Sequence, residues 1–202
     1  MRKPSDHIRN CNRVLIALGG NLGGQMDSPV AYLNFAIDRI VQSGIELKRQ
    51  SQFYRTPAFP PGSGPDFVNA ALACDTEMSP GALLELLHDI EAAAGRLRRQ
   101  RWSARVLDID LLAMGAKVLP DIDGFRSWHD LPLDAQMTQS PAELILPHPR
   151  LQDRAFVLVP LMDVAPDWRH PVLGQTVAEM VARIPISERL EIVPISQEIH
   201  RS

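Results

Sequence analysis

A run of arginines followed directly by two aspartates is the part of this sequence best suited to chemistry. Between Gly95 and Asp110 the chain reads GRLRRQRWSARVLDID, and the arginines that precede the acids are Arg96, Arg98, Arg99, Arg101 and Arg105. Guanidinium groups grip phosphate oxygens through paired hydrogen bonds, and carboxylates bind Mg²⁺, which usually completes its shell with water and substrate phosphates. Charges segregated in this order indicate a site for a polyphosphate and a divalent metal.

The two aspartates occupy alternate positions of a strand predicted from Val106 to Met114. Because successive side chains of a strand point to opposite faces, Asp108 and Asp110 project together and the apolar residues around them project the other way. A two-residue pattern alone is more typical of a solvated or salt-bridged strand edge than of a metal site. The adjacent arginines favour the metal interpretation.

Length and composition narrow the class of protein. A chain of 202 residues with 45% apolar content is long enough to bury one hydrophobic core. A net charge of −3 argues against a general binder of nucleic acid or anionic membranes. The two cysteines, Cys11 and Cys74, have no metal-like or redox-like spacing. Since the N-terminus lacks the apolar stretch of a secretory signal, we expect a cytoplasmic protein. We also expect it to be a monomer.

Apolar periodicity and turn signals predict the elements that must carry these side chains. In chain order they are a strand at 14–18 before a glycine-rich turn, a helix around 32–41, strands from Ile45 to Tyr54 and Phe67 to Asp75, a helix opened by Ser79 and Pro80, and the strand at 106–114. This β-α-β-β-α-β order predicts a ferredoxin-like α+β fold, in which helices cover one face of a mainly antiparallel sheet. Helices near 155–162 and 177–184 are C-terminal additions.

Some of the chain lies outside this predicted core. Residues 1–12 are polar and without periodicity, so we expect a disordered lead-in, with residues 13–202 forming a single domain. The segment 120–142 is turn-rich and looks inserted, and its sequence predicts neither an element nor a function. A Pro- and Gly-rich loop between Thr56 and Phe67 is of the kind that often carries binding groups.

Six segments combine into a more specific pattern. They are ALGGNLG from Ala17, SQFYRTPAF from Ser51, DFVNAAL from Asp66, IEAAAGRLR from Ile90, RWSARVLDIDLL from Arg101 and LPHPRLQDRAFVLVPL from Leu146. Over about residues 14–168 the chain resembles the 6-hydroxymethyl-7,8-dihydropterin pyrophosphokinases, a family of folate-pathway enzymes. The resemblance implies transfer of pyrophosphate from ATP, the co-substrate, to the hydroxymethyl oxygen of the pterin, with release of AMP.

The resemblance also implies roles for individual residues. Asp108 and Asp110 would bridge two Mg²⁺ ions, with no protein nucleophile, and Arg96 and Arg105 would approach the reacting phosphates. The pterin pocket would comprise Thr56, Pro57, Ala58, Phe59, Phe67, Asn69, Trp102 and Phe156. The contacts to ATP would come from Glu91, Arg98, Arg101, Leu111, His148 and Arg154.

Within that implied pocket, Phe67 and Phe156 would sandwich the pterin ring and Asn69 would hydrogen-bond to its edge. Trp102 would lie on a loop that closes over the site. Without the resemblance, both phenylalanines would be assigned to the core, because Phe is usually buried. A histidine between two prolines, such as His148, would likewise be assigned a structural role.

Two other functions fit parts of the pattern. Ferredoxin-like sheets include RNA-recognition modules, which need aromatic side chains on central strands and a basic face; residues 107–114 contain no aromatic residue, and the net charge is negative. A different metal-dependent nucleotidyl-transfer enzyme could use the same carboxylate pair. It would release pyrophosphate and would leave the implied pterin pocket unexplained.

Overall fold

The computed structural model describes residues 11–22, 25–58, 64–95, 106–132, 135 and 139–195. Several predicted site residues therefore lie outside the described residues, namely Phe59, Arg96, Arg98, Arg101, Trp102 and Arg105. So does most of the lead-in, although the first strand already begins at Asn12. No helix in the described ranges is both long and apolar enough to cross a bilayer.

The described strands form one antiparallel sheet. They are β1 (Asn12–Gly20), β2 (Glu46–Gln50), β3 (Tyr54–Thr56), β4 (Phe67–Thr76), β5 (Asp108–Met114) and β6 (Val193–Pro194). Their order across the sheet is β5-β1-β4-β3-β6, and β2 pairs with the remaining length of β4. β1 therefore lies between β4 and β5, the last two strands of the βαββαβ unit. This arrangement confirms the predicted ferredoxin-like fold.

Helices cover both faces of this sheet. They are α1 (Pro29–Gln42), α2 (Pro80–Ala93), α3 (Ile122–His129), α4 (Ala155–Val164), α5 (Val177–Arg183) and α6 (Ile186–Leu190). Residues of α1 and α2 pack with Val14 and Ile16 of β1 in one core cluster. Residues of α4 and α5 pack with Leu15 and Ala17 in a second cluster on the other face. The C-terminal helices thus close the face that a minimal ferredoxin-like unit leaves open.

Local capping explains where the helices of the first face begin. The hydroxyls of Ser28 and Ser79 accept backbone N–H groups from the first turns of α1 and α2, and each serine is followed by proline. A proline costs nothing at this position, because the first N–H groups of a helix have no partner within the helix. The predicted start of α2 at Ser79 and Pro80 is confirmed.

The strand predicted from Ile45 to Tyr54 is divided by a bulge. Gln50 pairs with Leu72 of β4 and Tyr54 pairs with Asn69, so the link between β2 and β3 contains one extra residue. Periodicity within one strand does not reveal such an insertion, because it depends on the partner strand.

The inserted segment contains helix α3, which the sequence did not predict. Asp121 caps it by accepting the Gly124 N–H at 2.7 Å. Glycine lowers helix propensity and obscured the pattern, yet a Cβ at position 124 would lie 2.6 Å from the Pro120 ring. Phe125 is completely buried and its ring lies 5.4 Å from that of His170, so the insertion packs against the segment between α4 and α5.

His170 is a fully buried imidazole in that segment. Its Nδ1 accepts the N–H groups of Val172 and Leu173 at 3.2 and 3.1 Å, and its ring packs against Trp168. Burial, and secondarily His129, lowers the pKa of His170 to about 4. Between pH 6.5 and 4 the unfolded chain therefore binds more protons than the folded chain, and the free energy of unfolding decreases as the pH falls.

Replacing His170 with Asn is expected to make stability less sensitive to acid. The Asn oxygen stands near the place of Nδ1 and accepts the same N–H groups, but it does not titrate. We expect this histidine to account for about 3 kcal/mol of the stability lost between pH 7 and pH 4. Urea unfolding over that pH range should show a shallower slope for His170→Asn than for wild type. Equal slopes for wild type and His170→Asn would contradict the assignment.

Candidate active site

The predicted site lies at one end of the sheet, where three strands bring their side chains into a row. Gly19 of β1 pairs with Asp108 of β5 on one side and with Asn69 of β4 on the other. Asn69 in turn pairs with Tyr54 of β3. Directly paired residues project from the same face, so Asp108, Asn69 and Tyr54 project together on the face covered by α4, with a gap at Gly19.

The two aspartates project from this same face of β5, as their spacing predicted. Both are half-buried, whereas Ile109 between them is 3% exposed and packs in the core beneath α1 and α2. Oδ2 of Asp110 lies 3.6 Å from Nη1 of Arg154, the residue before α4. One face therefore presents two carboxylates with a guanidinium beside them.

The carboxylate pair fits a magnesium ion that is bound together with a nucleotide. No group of three or more His, Cys, Asp and Glu side chains suited to a metal occurs among the described residues. Magnesium in nucleotide sites is typically held by one or two carboxylates, with water and phosphate oxygens completing the octahedron. Asp108 and Asp110 supply that number of carboxylates.

Glu91 of α2 holds the backbone between the aspartates. It is 2% exposed, and its Oε1 accepts the Ile109 N–H at 2.8 Å. Since β5 is an outer strand of the described sheet, the carboxylate takes the place of a neighbouring strand for this N–H. The structure thus shows Glu91 supporting β5, and its implied contact with ATP stays a prediction.

His148 lies beside the aspartates on the segment before α4. The backbone N–H of His148 donates to the Leu112 carbonyl at 2.8 Å, and the ring Nδ1 accepts the backbone N–H of Arg150 at 3.1 Å. Burial and nearby Arg154 lower the pKa of His148 to about 3, although Asp108 acts in the opposite direction. The imidazole is therefore neutral at physiological pH, and the hydrogen bond to Nδ1 assigns its proton to Nε2. An Nε2–H group is a donor suited to a phosphate oxygen.

Asn69 and Thr56 form a buried polar pair on the other side of Gly19. They are 6% and 5% exposed, and Asn69 Nδ2 donates to Thr56 Oγ1 at 2.8 Å. A Cβ at position 19 would lie 2.8 Å from Asn69 Oδ1, so the amide oxygen lies directly over the glycine. The missing side chain at Gly19 thus provides the space that the Asn69 amide occupies.

The two phenylalanines implied for ring stacking are not core residues. Phe156 is 41% exposed, and the guanidinium carbon of Arg154 lies 5.8 Å from its ring centroid. Phe67, the first residue of β4, is half-buried. The expectation from burial frequency alone was wrong for both. Accessible aromatic faces are what a flat heterocycle needs for stacking.

The other described residues of the predicted set have these places. Pro57 is exposed and Ala58 is buried immediately after β3. Leu111 is 4% exposed and packs in the core beneath α1 and α2, on the opposite side of β5 from the aspartates. The roles of the residues outside the described part stay predictions.

Sequence reasoning did not single out Gly19 as a site residue. It assigned Gly19 to a turn, which was wrong, because β1 continues through Gly20. Two adjacent glycines at the end of an apolar strand are a usable signal, since glycine in a strand often marks close approach of another group.

Fold and site together define a class of protein: a ferredoxin-like domain equipped for the transfer of phosphate groups, with carboxylates, an arginine and a neutral histidine at one end of its sheet. Residues 15–166 match the family model of 7,8-dihydro-6-hydroxymethylpterin-pyrophosphokinase (HPPK), and the chain belongs to this family. The predicted family is thereby confirmed. The enzyme class, an ATP-dependent diphosphotransferase of folate biosynthesis, is confirmed with it.

Two relatives that align with about nine-tenths or more of this chain are also named as pterin pyrophosphokinases. The chain is 34% identical to a 2-amino-4-hydroxy-6-hydroxymethyldihydropteridine pyrophosphokinase of Synechocystis over 192 residues, which cover 95% of this chain and 86% of the relative. It is 39% identical to the enzyme of that name from Methylorubrum extorquens over 183 residues, which cover 89% and 99% of the two chains.

Solved structures show the same fold at lower identity. The wild-type HPPK-DHPS of Plasmodium falciparum matches with a TM-score of 0.58 and 14% identity, covering 85% of this chain and 44% of that chain. An HPPK-DHPS in complex with substrates matches with a TM-score of 0.60 and 14% identity, covering 85% and 43%. The chain thus spans less than half the length of these structures.

Proposed function

We propose that this protein transfers an intact pyrophosphoryl group from ATP to the hydroxymethyl oxygen of 6-hydroxymethyl-7,8-dihydropterin, giving AMP and the pterin diphosphate. Its partners are these two small molecules, and we expect it to act as a monomer. The observation that carries the proposal is the row formed by Asp108, Gly19 and Asn69. Asp108 and Asn69 are two strand spacings apart, about 10 Å, so a carboxylate for the phosphate end of the site and a buried amide for the pterin end lie in one row.

On the phosphate side, Asp108 and Asp110 would hold two Mg²⁺ ions against the triphosphate. Bound there, the metal would neutralise charge on the transferred group and stabilise the entering and leaving oxygens. Arg154, which lies 3.6 Å from Asp110, would bind the same phosphates, and His148 would offer a neutral donor. Arg96 and Arg105 would complete the positive charge.

On the pterin side, Asn69 and Thr56 would orient the ring through its polar edge. Their mutual hydrogen bond fixes the amide before the substrate arrives, which reduces the ordering cost of binding. Phe67 and Phe156 would stack on the ring. Trp102 would close over the site and exclude water.

We propose direct transfer, without a covalent protein intermediate. Cys74 is buried in the core beneath α1 and α2, and burial raises the pKa of its thiol to about 12, so it is neither accessible nor ionised. Cys11 precedes the start of β1, at the opposite end of that strand from Gly19. The described side chains of the site are therefore suited to positioning and charge stabilisation.

The alternative of an RNA-recognition module is disfavoured by the covered sheet. Such modules bind single strands on an open sheet face. Here α1 and α2 pack on one face of β1 and the C-terminal helices pack on the other. The central strand β1 is thus covered by helices on both faces, where an RNA-recognition module would need an open one.

Product analysis tests the proposed reaction against nucleotidyl transfer. With ATP, Mg²⁺ and 6-hydroxymethyl-7,8-dihydropterin, we expect AMP and the pterin diphosphate in equal amounts, as measured by ion-exchange chromatography and phosphorus NMR. The matched control is 6-methyl-7,8-dihydropterin, which lacks the acceptor oxygen and should give no AMP above background. Release of inorganic pyrophosphate with a nucleotidylated product would contradict the proposal.

A further inference from the structure

Helix α4 is attached to the candidate site at both of its ends. At its start, Arg154 lies 3.6 Å from Asp110. Near its end, Oδ2 of Asp163 accepts two hydrogen bonds: one at 3.1 Å from the N–H of Gln52, in the link between β2 and β3, and one at 2.9 Å from the hydroxyl of Tyr54, the first residue of β3. One helix therefore joins the carboxylate side of the site to the strand that leads into Thr56.

Tyr54 lies where the apolar core beneath α4 meets the polar pair of the site. It is 7% exposed and packs in the same cluster as Leu158 of α4. It is also the direct cross-strand partner of Asn69 and stands two residues before Thr56. Because Asn69 donates to Thr56, a displacement of Tyr54 would move both members of that pair.

Asp163 has no part in the proposed chemistry and little part in the core. Asp163 is exposed, and its carboxylate accepts one hydrogen bond from the link between β2 and β3 and one from the first residue of β3. Burial, together with Asp163, raises the pKa of Tyr54 to about 12. The phenol therefore keeps its proton and remains a donor to the carboxylate at physiological pH.

We propose that the hydrogen bond between Tyr54 and Asp163 is a positioning contact, which fixes Asn69 and Thr56 relative to helix α4, the helix that carries Phe156. It would thereby determine the affinity of the site for a flat bicyclic heterocycle. Neither residue touches the substrate; each acts through the element that carries it. The inference rests on the proposed function, which assigns Asn69, Thr56 and Phe156 to pterin binding.

Binding measurements on the full-length chain test this inference. Asp163→Ala removes the acceptor, and Tyr54→Phe removes the donor but keeps the buried ring, so the second variant keeps the test valid if the first folds poorly. For both we expect a three- to tenfold higher Kd for 6-hydroxymethyl-7,8-dihydropterin, the range associated with one hydrogen bond. The KM for the pterin should rise equally, with kcat and the Kd for a non-hydrolysable ATP analogue with Mg²⁺ within about twofold of wild type.

Three controls separate positioning from general stability. Asp163→Asn keeps an oxygen acceptor and should restore near-wild-type pterin affinity. The double variant Asp163→Ala/Tyr54→Phe should bind the pterin no more weakly than the worse single variant, because both remove the same contact. Asp75→Asn breaks an ion pair with Arg13 at the far end of the sheet, and it should not change the pterin Kd.

The outcomes distinguish the two proposals. If Asp163→Ala and Tyr54→Phe lower the unfolding midpoint but leave the pterin Kd at the wild-type value, the contact is structural and the inference is overturned alone. If the wild-type protein binds the ATP analogue but not the pterin, the proposed function fails, and this inference fails with it. A rise in pterin Kd that Asp163→Asn reverses supports the inference.

Discussion

Replacing Asp110 with Asn is expected to lower kcat about a thousandfold while the protein remains folded. The amide keeps the size of the side chain but removes the negative charge, so the site loses one of the two carboxylates that we propose as metal ligands. A bound metal stabilises the charge of a transition state by several kcal/mol. A loss of about 4 kcal/mol corresponds to a factor of a thousand in rate. The loss should persist at saturating Mg²⁺, ATP and pterin.

The folded state should tolerate this change because Asp110 is half-buried and its ion pair with Arg154 is a loose one, at 3.6 Å. Calorimetry with an ATP analogue gives a second measurement, in which the variant should bind the nucleotide with a weaker dependence on Mg²⁺. Asp75→Asn is the matched control, since Asp75 lies in the same sheet but pairs with Arg13 and Lys48 at its other end. Undiminished turnover of Asp110→Asn would rule out the proposed role.

Replacing Gly19 with Ala is expected to lower kcat/KM for the pterin about a hundredfold while the protein remains folded. The added Cβ would lie 2.8 Å from Asn69 Oδ1, which is closer than real Cβ contacts come. That oxygen is at the end of a side chain, so the amide turns away without a shift of the backbone, and the loss of stability should be roughly the 1–3 kcal/mol of one broken buried hydrogen bond. When the Asn69 amide turns, its hydrogen bond to Thr56 breaks. The amide then no longer faces the place proposed for the pterin ring. A hundredfold loss corresponds to about 2.7 kcal/mol, or two to three hydrogen bonds.

Steady-state kinetics with the pterin varied at saturating ATP measure this effect, and urea unfolding verifies the fold. Gly81→Ala is the matched control, because a Cβ at that position of α2 meets nothing within 4 Å. In a Gly19→Ala background, the further change Asn69→Ala should cost little, since the amide is already displaced. Wild-type kcat/KM in Gly19→Ala would show that Asn69 does not need this space for pterin recognition.

Features that depend on a short stretch of chain could be predicted well. The helix start at Ser79 and Pro80 depends on one hydroxyl, one missing N–H and the turn that follows them. The common face of Asp108 and Asp110 depends on the alternation of a single strand. The family resemblance, which rested on motifs of this local kind, correctly indicated the fold class and the class of enzyme.

Features that depend on distant segments could not be predicted in the same way. The bulge between Gln50 and Tyr54 exists only relative to β4, and α3 needed Gly124 for its contact with Pro120. The exposure of Phe156 likewise depends on how α4 lies on the sheet. In each case the local sequence does not reveal the role of the residue, because that role depends on a contact with another segment.

The residues capable of phosphate chemistry, and the face on which Asp108 and Asp110 stand, follow from the order of amino acids, because strand alternation is a property of a single segment. The arrangement around them follows from folding. Strand register places Gly19 between Asp108 and Asn69, and the docking of α4 brings Asp163 to Tyr54. Register and docking are set by packing between segments that are remote in sequence, so the shape of the site is a property of the folded chain.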